Sequence, residues 1–166
     1  MSGGGGDDVF IVDDAGDSVA DSAGSDTVQA SVSFTAASGI ETVSLTGAGD
    51  ITATGSGDAN LLVGNRDDDV LYGGVGDDTM GGGQGTDIFV FETETGSDVI
   101  SDFDTDAGEV LDFTRLGFDE DFAAFKAGRI DEIADGDAVV DLGGDNKFVL
   151  LGVGVDDLQA SHFTLV

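Results

Sequence analysis

Three aspartates recur at intervals of nine residues: Asp69, Asp78 and Asp87. A large apolar side chain follows each of them two places later, as Leu71, Met80 and Phe89. The stretch that holds them reads GNRDDDVLY, GGVGDDTMG, GGQGTDIFV, three units over residues 64–90 with no gap. Carboxylates at fixed spacing beside glycines are hard oxygen donors, and the chemistry they offer is binding of a cation such as calcium. Six residues rich in Gly form neither helix nor strand; they turn. The remaining three form a minimal strand whose middle side chain points inward. Two units, eighteen residues, then complete one coil, so residues i and i+18 stack about 4.8 Å apart. A calcium–oxygen bond is about 2.3–2.6 Å long, so one ion fits between two stacked carboxylates. This spacing pairs Asp69 with Asp87 on one edge and Asn60 with Asp78 on the other.

The elements that position these acids extend beyond the three units. GSGDANLLV (55–63) is in phase with them and has Asn60 where the others have Asp. An earlier block covers residues 3–29. There GGGGDDVFI fits the pattern, VDDAGDSVA keeps Asp17 and Val19, and DSAGSDTVQ keeps Gly24, Asp26 and Val28. Asp8 and Asp26 are eighteen apart, which predicts an ion between them, with Asp17 lacking a partner. Residues 30–54 lose the turns; Val32 and Phe34, then Val43 and Leu45, alternate with small polar residues as longer strands without ion sites. After Val90 the spacing slips by two, Phe91 and Glu92 being extra, and TETGSDVIS (93–101) restores Gly96, Asp98 and Ile100. Asp98 pairs with Asp78 across the slip.

Next, Asp102, Asp104 and Asp106 alternate before Gly108. In a helix–loop–helix calcium loop the glycine would stand one place earlier and Phe113 would be Glu. The favoured reading is a strand-turn-strand around Val110, Leu111 and Phe113. DEDFAAFKAG (119–128) reads as a short helix, with acids first and Lys126 near its end. AVVDL, GGDN and KFVLLG (138–152) read as a hairpin, and DDLQASHFTLV as a helical turn and a last strand. This last third forms a cap over the open end of the coils, because bare strand edges invite pairing.

Composition points the same way. Five Lys+Arg against 35 Asp+Glu give a net charge of −30 over 166 residues. That charge argues against nucleic acid and anionic membrane surfaces as partners and for metal cations. With no Cys, no disulfide staples the fold. Met1 runs straight into SGGGGDD with no apolar segment of a signal peptide, and no apolar run is long enough to span a bilayer. Export, if it occurs, is expected by a route that does not read the N-terminus.

The units fit G-G-x-G-x-D-x-U-x, with U large and apolar, and so resemble the haemolysin-type (RTX) calcium-binding repeats of bacterial proteins exported by type I secretion. IFVF…GSDVISDF…EVLDFTRLGF is similar to the segment after the repeats in serralysin-type proteases and to repeat modules of mannuronan epimerases. The resemblance implies a right-handed parallel β-roll over residues 3–101, with repeat blocks at 3–29 and 55–101 and repeat-poor coils at 30–54. It implies a mixed α/β capping and secretion-signal region over 102–166. It implies several Ca2+ ions, each held by the second, fourth and sixth places of one turn and the first, third and sixth of the turn two units on. One site would use Asn65, Asp67 and Asp69 with Gly82, Gln84 and Asp87. A second would use Ser56, Asp58 and Asn60 with Gly73, Val75 and Asp78. A third would use Gly4, Gly6 and Asp8 with Asp21, Ala23 and Asp26. A fourth would use Gly74, Gly76 and Asp78 with Thr93, Thr95 and Asp98. Outside the sixth place, carbonyls would do most of the binding. In the family the export signal is C-terminal; here the end is SHFTLV, with Ser161 and His162 where an acid is common.

No enzyme is expected in the chain. It has one histidine, His162, so an H-E-x-x-H zinc site is excluded. It has no Cys nucleophile and no G-x-S-x-G elbow. Two function classes follow. One is a calcium-dependent folding and type I secretion module of an extracellular protein of a Gram-negative-type bacterium. The other is an adhesin, surface-layer or polysaccharide-binding module. One Tyr and 11 Phe, many at inward places, favour the first.

Overall fold

The computed structural model describes residues 1–93 and 95–166. The chain winds as a parallel β-roll between two sheets. Strands β1 (Val9–Val12), β2 (Thr27–Ala30), β4 (Thr42–Leu45), β6 (Leu61–Val63), β8 (Thr79–Gly81) and β10 (Ser97–Ile100) lie side by side in one sheet. Strands β3 (Phe34–Thr35), β5 (Thr52–Thr54), β7 (Val70–Tyr72), β9 (Ile88–Val90) and β11 (Val110–Asp112) lie in the other. From β2 to β11 successive strands therefore alternate between sheets, while β1 and β2 pair directly in one sheet. Leu61 pairs with Thr79 and Val70 with Ile88, which is the eighteen-residue coil.

The apolar pattern decides the register. Val28, Leu62, Leu71, Phe89 and Ile100 are completely buried, and Phe10, Val19 and Met80 nearly so. A one-residue slip would turn all of them outward. Val19 points inward from a segment without strand geometry. In residues 30–54 the expected longer strands are short: β3 has two residues, β5 three and β4 four. Val43 and Leu45 nevertheless face the core, and Val32 is half-buried outside a strand. Phe91, which looked like an insertion, is fully buried and stacks on Phe148 at 4.2 Å and Phe113 at 5.3 Å. The slip in the repeat is where the core begins to fill with aromatic rings.

The cap continues both sheets. Helix α1 (Phe122–Arg129) starts at Asp121, whose carboxylate accepts from the Ala124 N–H, and it buries Phe125. Strand β12 (Ile130–Glu132), which the sequence reading lacked, joins the hairpin of β13 (Ala138–Gly143) and β14 (Asn146–Leu150). Strand β14 pairs in parallel with β10, and β15 (Phe163–Thr164) with β11. Both growing edges are thus covered by cap strands, the remedy for an open sheet. Among the described residues no helix is long and apolar enough to cross a membrane.

Candidate metal centre

Turns 64–69, 73–78 and 82–87 each end on an acid that stands just before the next strand. The stacked strands hold these acids in rows. The Asp69 N–H donates to Asp87 Oδ1 at 2.8 Å, and the Asn60 N–H to Asp78 Oδ1 at 2.8 Å. The Asp78 N–H donates to Asp98 Oδ1 at 3.0 Å, and the Asp8 N–H to Asp26 Oδ1 at 2.9 Å. These are the four pairs that spacing predicts. Each bond uses one oxygen of the upper carboxylate. The Oδ2 of Asp8, Asp26, Asp78 and Asp87 is buried and has no hydrogen-bond partner among the described residues. An orphaned buried acceptor costs about 1–3 kcal/mol, more when charged. Burial pushes Asp78 and Asp87 up to about 6 and Asp98 to about 7, with neighbouring aspartates adding to the shift.

The glycines make room for this arrangement. A Cβ on Gly73 would lie 2.5 Å from Asp78 Oδ2, and one on Gly82 would lie 2.4 Å from Asp87 Oδ2. The acid folds back over the first place of its own turn. At the second place Gly83 has φ +95°, and a Cβ there would sit 2.3 Å from the Asn65 carbonyl oxygen. Carboxylates and carbonyls of adjacent turns therefore face one another across narrow gaps. Among the described residues no three acidic or imidazole side chains converge on one point. A cation held here would have to draw much of its shell from the main chain. Orphaned oxygens, carbonyls and a hard donor set fit calcium.

The individual sites differ. Asn60 is satisfied by protein alone: Oδ1 accepts from the Ser56 N–H at 2.6 Å and its Nδ2 donates to the Ile40 carbonyl at 2.6 Å. Ser56 Oγ also reaches Asn60 Oδ1, and Asp58 Oδ2 accepts from Ser38 Oγ. Asp69 Oδ2 accepts from the Asn65 N–H at 2.6 Å, and Asp67 Oδ2 from the Gly49 N–H at 2.8 Å. The Gln84 N–H donates to the Asn65 carbonyl at 3.1 Å; Gln84 and Val75 expose their side chains. In the first block Asp21 accepts from the N–H groups of Gly3 and Gly4, which with Ser22 lower its pKa, that of Gly4 most. The Ala23 carbonyl accepts from the Gly6 N–H. Across the slip, a Cβ on Gly96 would lie 2.3 Å from the Gly76 carbonyl oxygen, so Gly76 and Asp78 do meet Gly96 and Asp98. Thr95 is buried there, and Thr93 is exposed.

Glu109 was missed. It stands just before β11, next to Asp87 in the row, because Val110 pairs with Ile88. It is 1% exposed, and burial pushes its carboxyl up to about 8. Its Oε2 accepts from the Asp104 N–H at 2.9 Å. Asp102 Oδ1 and Oδ2 accept from the Gly82 and Gly83 N–H groups. The alternating acids 102–106 thus serve a coil of the roll, as strand-turn-strand implies. His162 is buried and packs edge-on to Phe103.

Comparison with known proteins accords with this geometry. The model of the RTX calcium-binding nonapeptide repeat, in four copies, matches residues 54–89. No curated protein matches the sequence. Among solved structures, the chain is similar to the extracellular lipase LipA from Serratia marcescens, with a TM-score of 0.51 and 14% identity. The match covers 99% of this chain and 38% of the lipase. At that identity the likeness speaks for the fold. The chain therefore carries RTX calcium-binding nonapeptide repeats, and it folds as the parallel β-roll such repeats build.

Proposed function

We propose that the chain is a calcium-dependent folding and secretion module of an extracellular protein, with no catalytic chemistry of its own. The observation that carries this reading is the set of buried Oδ2 atoms on Asp8, Asp26, Asp78 and Asp87, each without a partner among the described residues. Without a cation these oxygens are a standing penalty on the fold; with one they become its fastening. Several ions would sit between stacked turns, at the Asp69–Asp87, Asn60–Asp78, Asp8–Asp26 and Asp78–Asp98 steps. The metal supplies positive charge and oxygen coordination; the chain supplies the carboxylates, the carbonyls and the spacing.

Each repeat strand buries one large side chain, about 1.5–3 kcal/mol. That burial alone does not offset the backbone entropy of ordering nine residues, several of them glycine. Calcium affinity then becomes folding energy. Extracellular calcium modules bind at about 10⁻⁴–10⁻³ M, so the roll would stay unfolded in the cytosol and fold outside, as threading through a type I exporter requires. The extracellular neighbour supports this location. Circular dichroism tests the reading. In EGTA the spectrum should lack the contribution of the roll and keep that of the cap, and millimolar calcium should restore the full β-sheet signal. A full β spectrum in excess EGTA that calcium leaves unchanged would overturn it.

A further inference from the structure

We propose a calcium site outside the matched repeats, between Asp26 and Glu41; it rests on the reading of the repeats as calcium sites. Residues 36–44, AASGIETVS, are a disguised repeat unit. Six residues separate the end of β3 at Thr35 from the start of β4 at Thr42, as six separate β6 from β7. Counted in that frame, Gly39 takes the fourth place, Glu41 the sixth and Val43 the eighth. Val43 is completely buried, as the eighth place demands.

Glu41 also makes the bond of a sixth-place acid. The Asp26 N–H donates to Glu41 Oε2 at 2.6 Å, the same link that joins Asp8 to Asp26 and Asp69 to Asp87. Thr27 pairs with Thr42, so the two acids stand side by side in register. Gly39 has φ +86°, and a Cβ there would lie 2.3 Å from the Asp21 carbonyl oxygen, so this turn too packs closely on the one below it, though three places out of the repeat frame. Asp26 is completely buried, and its Oδ2 has no partner among the described residues. Glu41 is half-buried, with one oxygen engaged. A divalent oxygen-seeking cation between them satisfies both groups. The next step up the sheet is closed without metal, since Asn60 Nδ2 takes the Ile40 carbonyl. The Asp26–Glu41 site is then the last ion before a metal-free rung.

Glu41→Gln separates charge from shape, because the amide oxygen still accepts from the Asp26 N–H. Calorimetric titration of the full chain with calcium should find one ion fewer per chain in E41Q, or one ion held at least tenfold more weakly. The β spectrum in millimolar calcium should persist. Equal stoichiometry and affinities in parent and E41Q would overturn the site while leaving the repeat sites standing. A parent that takes up no calcium would sink both. Crystals of the parent grown in calcium give a check independent of any variant. An anomalous peak about 2.3–2.6 Å from the Glu41 carboxylate is expected, and its absence beside an ordered Glu41 overturns the proposal.

Discussion

The roll and its cap solve the same burial problem by different means. In the repeats, each three-residue strand contributes one inward side chain, such as Leu62, Leu71 or Met80. The rest of the unit is turn, and its acids are buried with oxygens unpaired. In the cap, Phe113 lies within about 6 Å of Phe91, Phe125, Phe148 and Phe163, ring centre to ring centre. Arg129 covers Phe118 at 4.3 Å and pairs with Glu120 at 2.8 Å. One core runs through both; at the cap end it is thick with aromatic rings, and along the roll it is thin and carries a debt of charge. Stability in the one should depend on calcium and in the other on side-chain volume.

Paired truncations give the largest contrast. Phe148 is completely buried, stacks on Phe91, and sits in β14 between the hairpin and β10. Phe148→Ala should cost about 3–5 kcal/mol and lower the melting temperature with and without calcium. Asp87→Ala should lower the melting temperature only with calcium present, since without the ion it removes a buried unpaired acid. It removes the Asp69–Asp87 ion, and calcium stoichiometry should fall. Melting curves of the two variants in calcium and in EGTA settle the comparison. A Phe148→Ala loss that vanishes in EGTA, or an Asp87→Ala variant with parental stoichiometry, would contradict the division.

Those residues also mark how far the sequence was legible. Four contiguous units announced the coil, because nothing interrupts their phase between Gly55 and Val90, and every inward residue named from them is buried. The unit at 36–44 stayed hidden for two reasons. Its acid is Glu where the pattern has Asp, and the link before it is short, so Glu41 follows Asp26 by fifteen residues where eighteen were sought. Glu109 was hidden by the reverse fault, since Val110 pairs with Ile88, twenty-two residues earlier. A frame counted along the chain breaks at such places, whereas the sheet re-registers through strand pairing. Phe91 was misread for the same reason, as an insertion in a frame that had already ended. Strand β12 reads IDE, with only Ile130 buried, which leaves no alternation to recognise.

Acidity should move the two states of the roll in opposite directions. Burial raises Asp78 and Asp87 to about 6, Asp98 to about 7 and Glu109 to about 8. Without calcium, the folded chain holds these protons more tightly than the unfolded chain. Its stability is therefore greatest near the ordinary carboxylate range and is lost as pH rises through about 6 to 8. With calcium the sign reverses, because a bound cation needs the carboxylates ionised. Thermal melts at pH 5 and pH 8 should show more order at pH 5 in EGTA and tighter calcium binding at pH 8. Order in EGTA that is independent of pH would refute the role given to these acids.

The smallest effect on calcium belongs to the chain's single imidazole. His162 is 3% exposed and lies edge-on to Phe103, with centroids 5.8 Å apart. Phe103 in turn tilts against Phe89, an inward residue of the repeats. His162 Nδ1 accepts from the Gln159 N–H at 3.2 Å, which closes the turn before β15. The ring is thus packed where cap meets coil, and its one hydrogen bond is local. No acid of the stacked rows bonds to it. His162→Ala leaves a small void and a lost turn contact, which typically cost about 0.5–3 kcal/mol together. The loss should appear equally in calcium and in EGTA, because it falls on the cap side of the boundary. Calcium stoichiometry and affinity should match the parent. A variant that keeps its melting temperature in EGTA but binds fewer ions would place His162 with the metal sites, and would blur the boundary between the two halves.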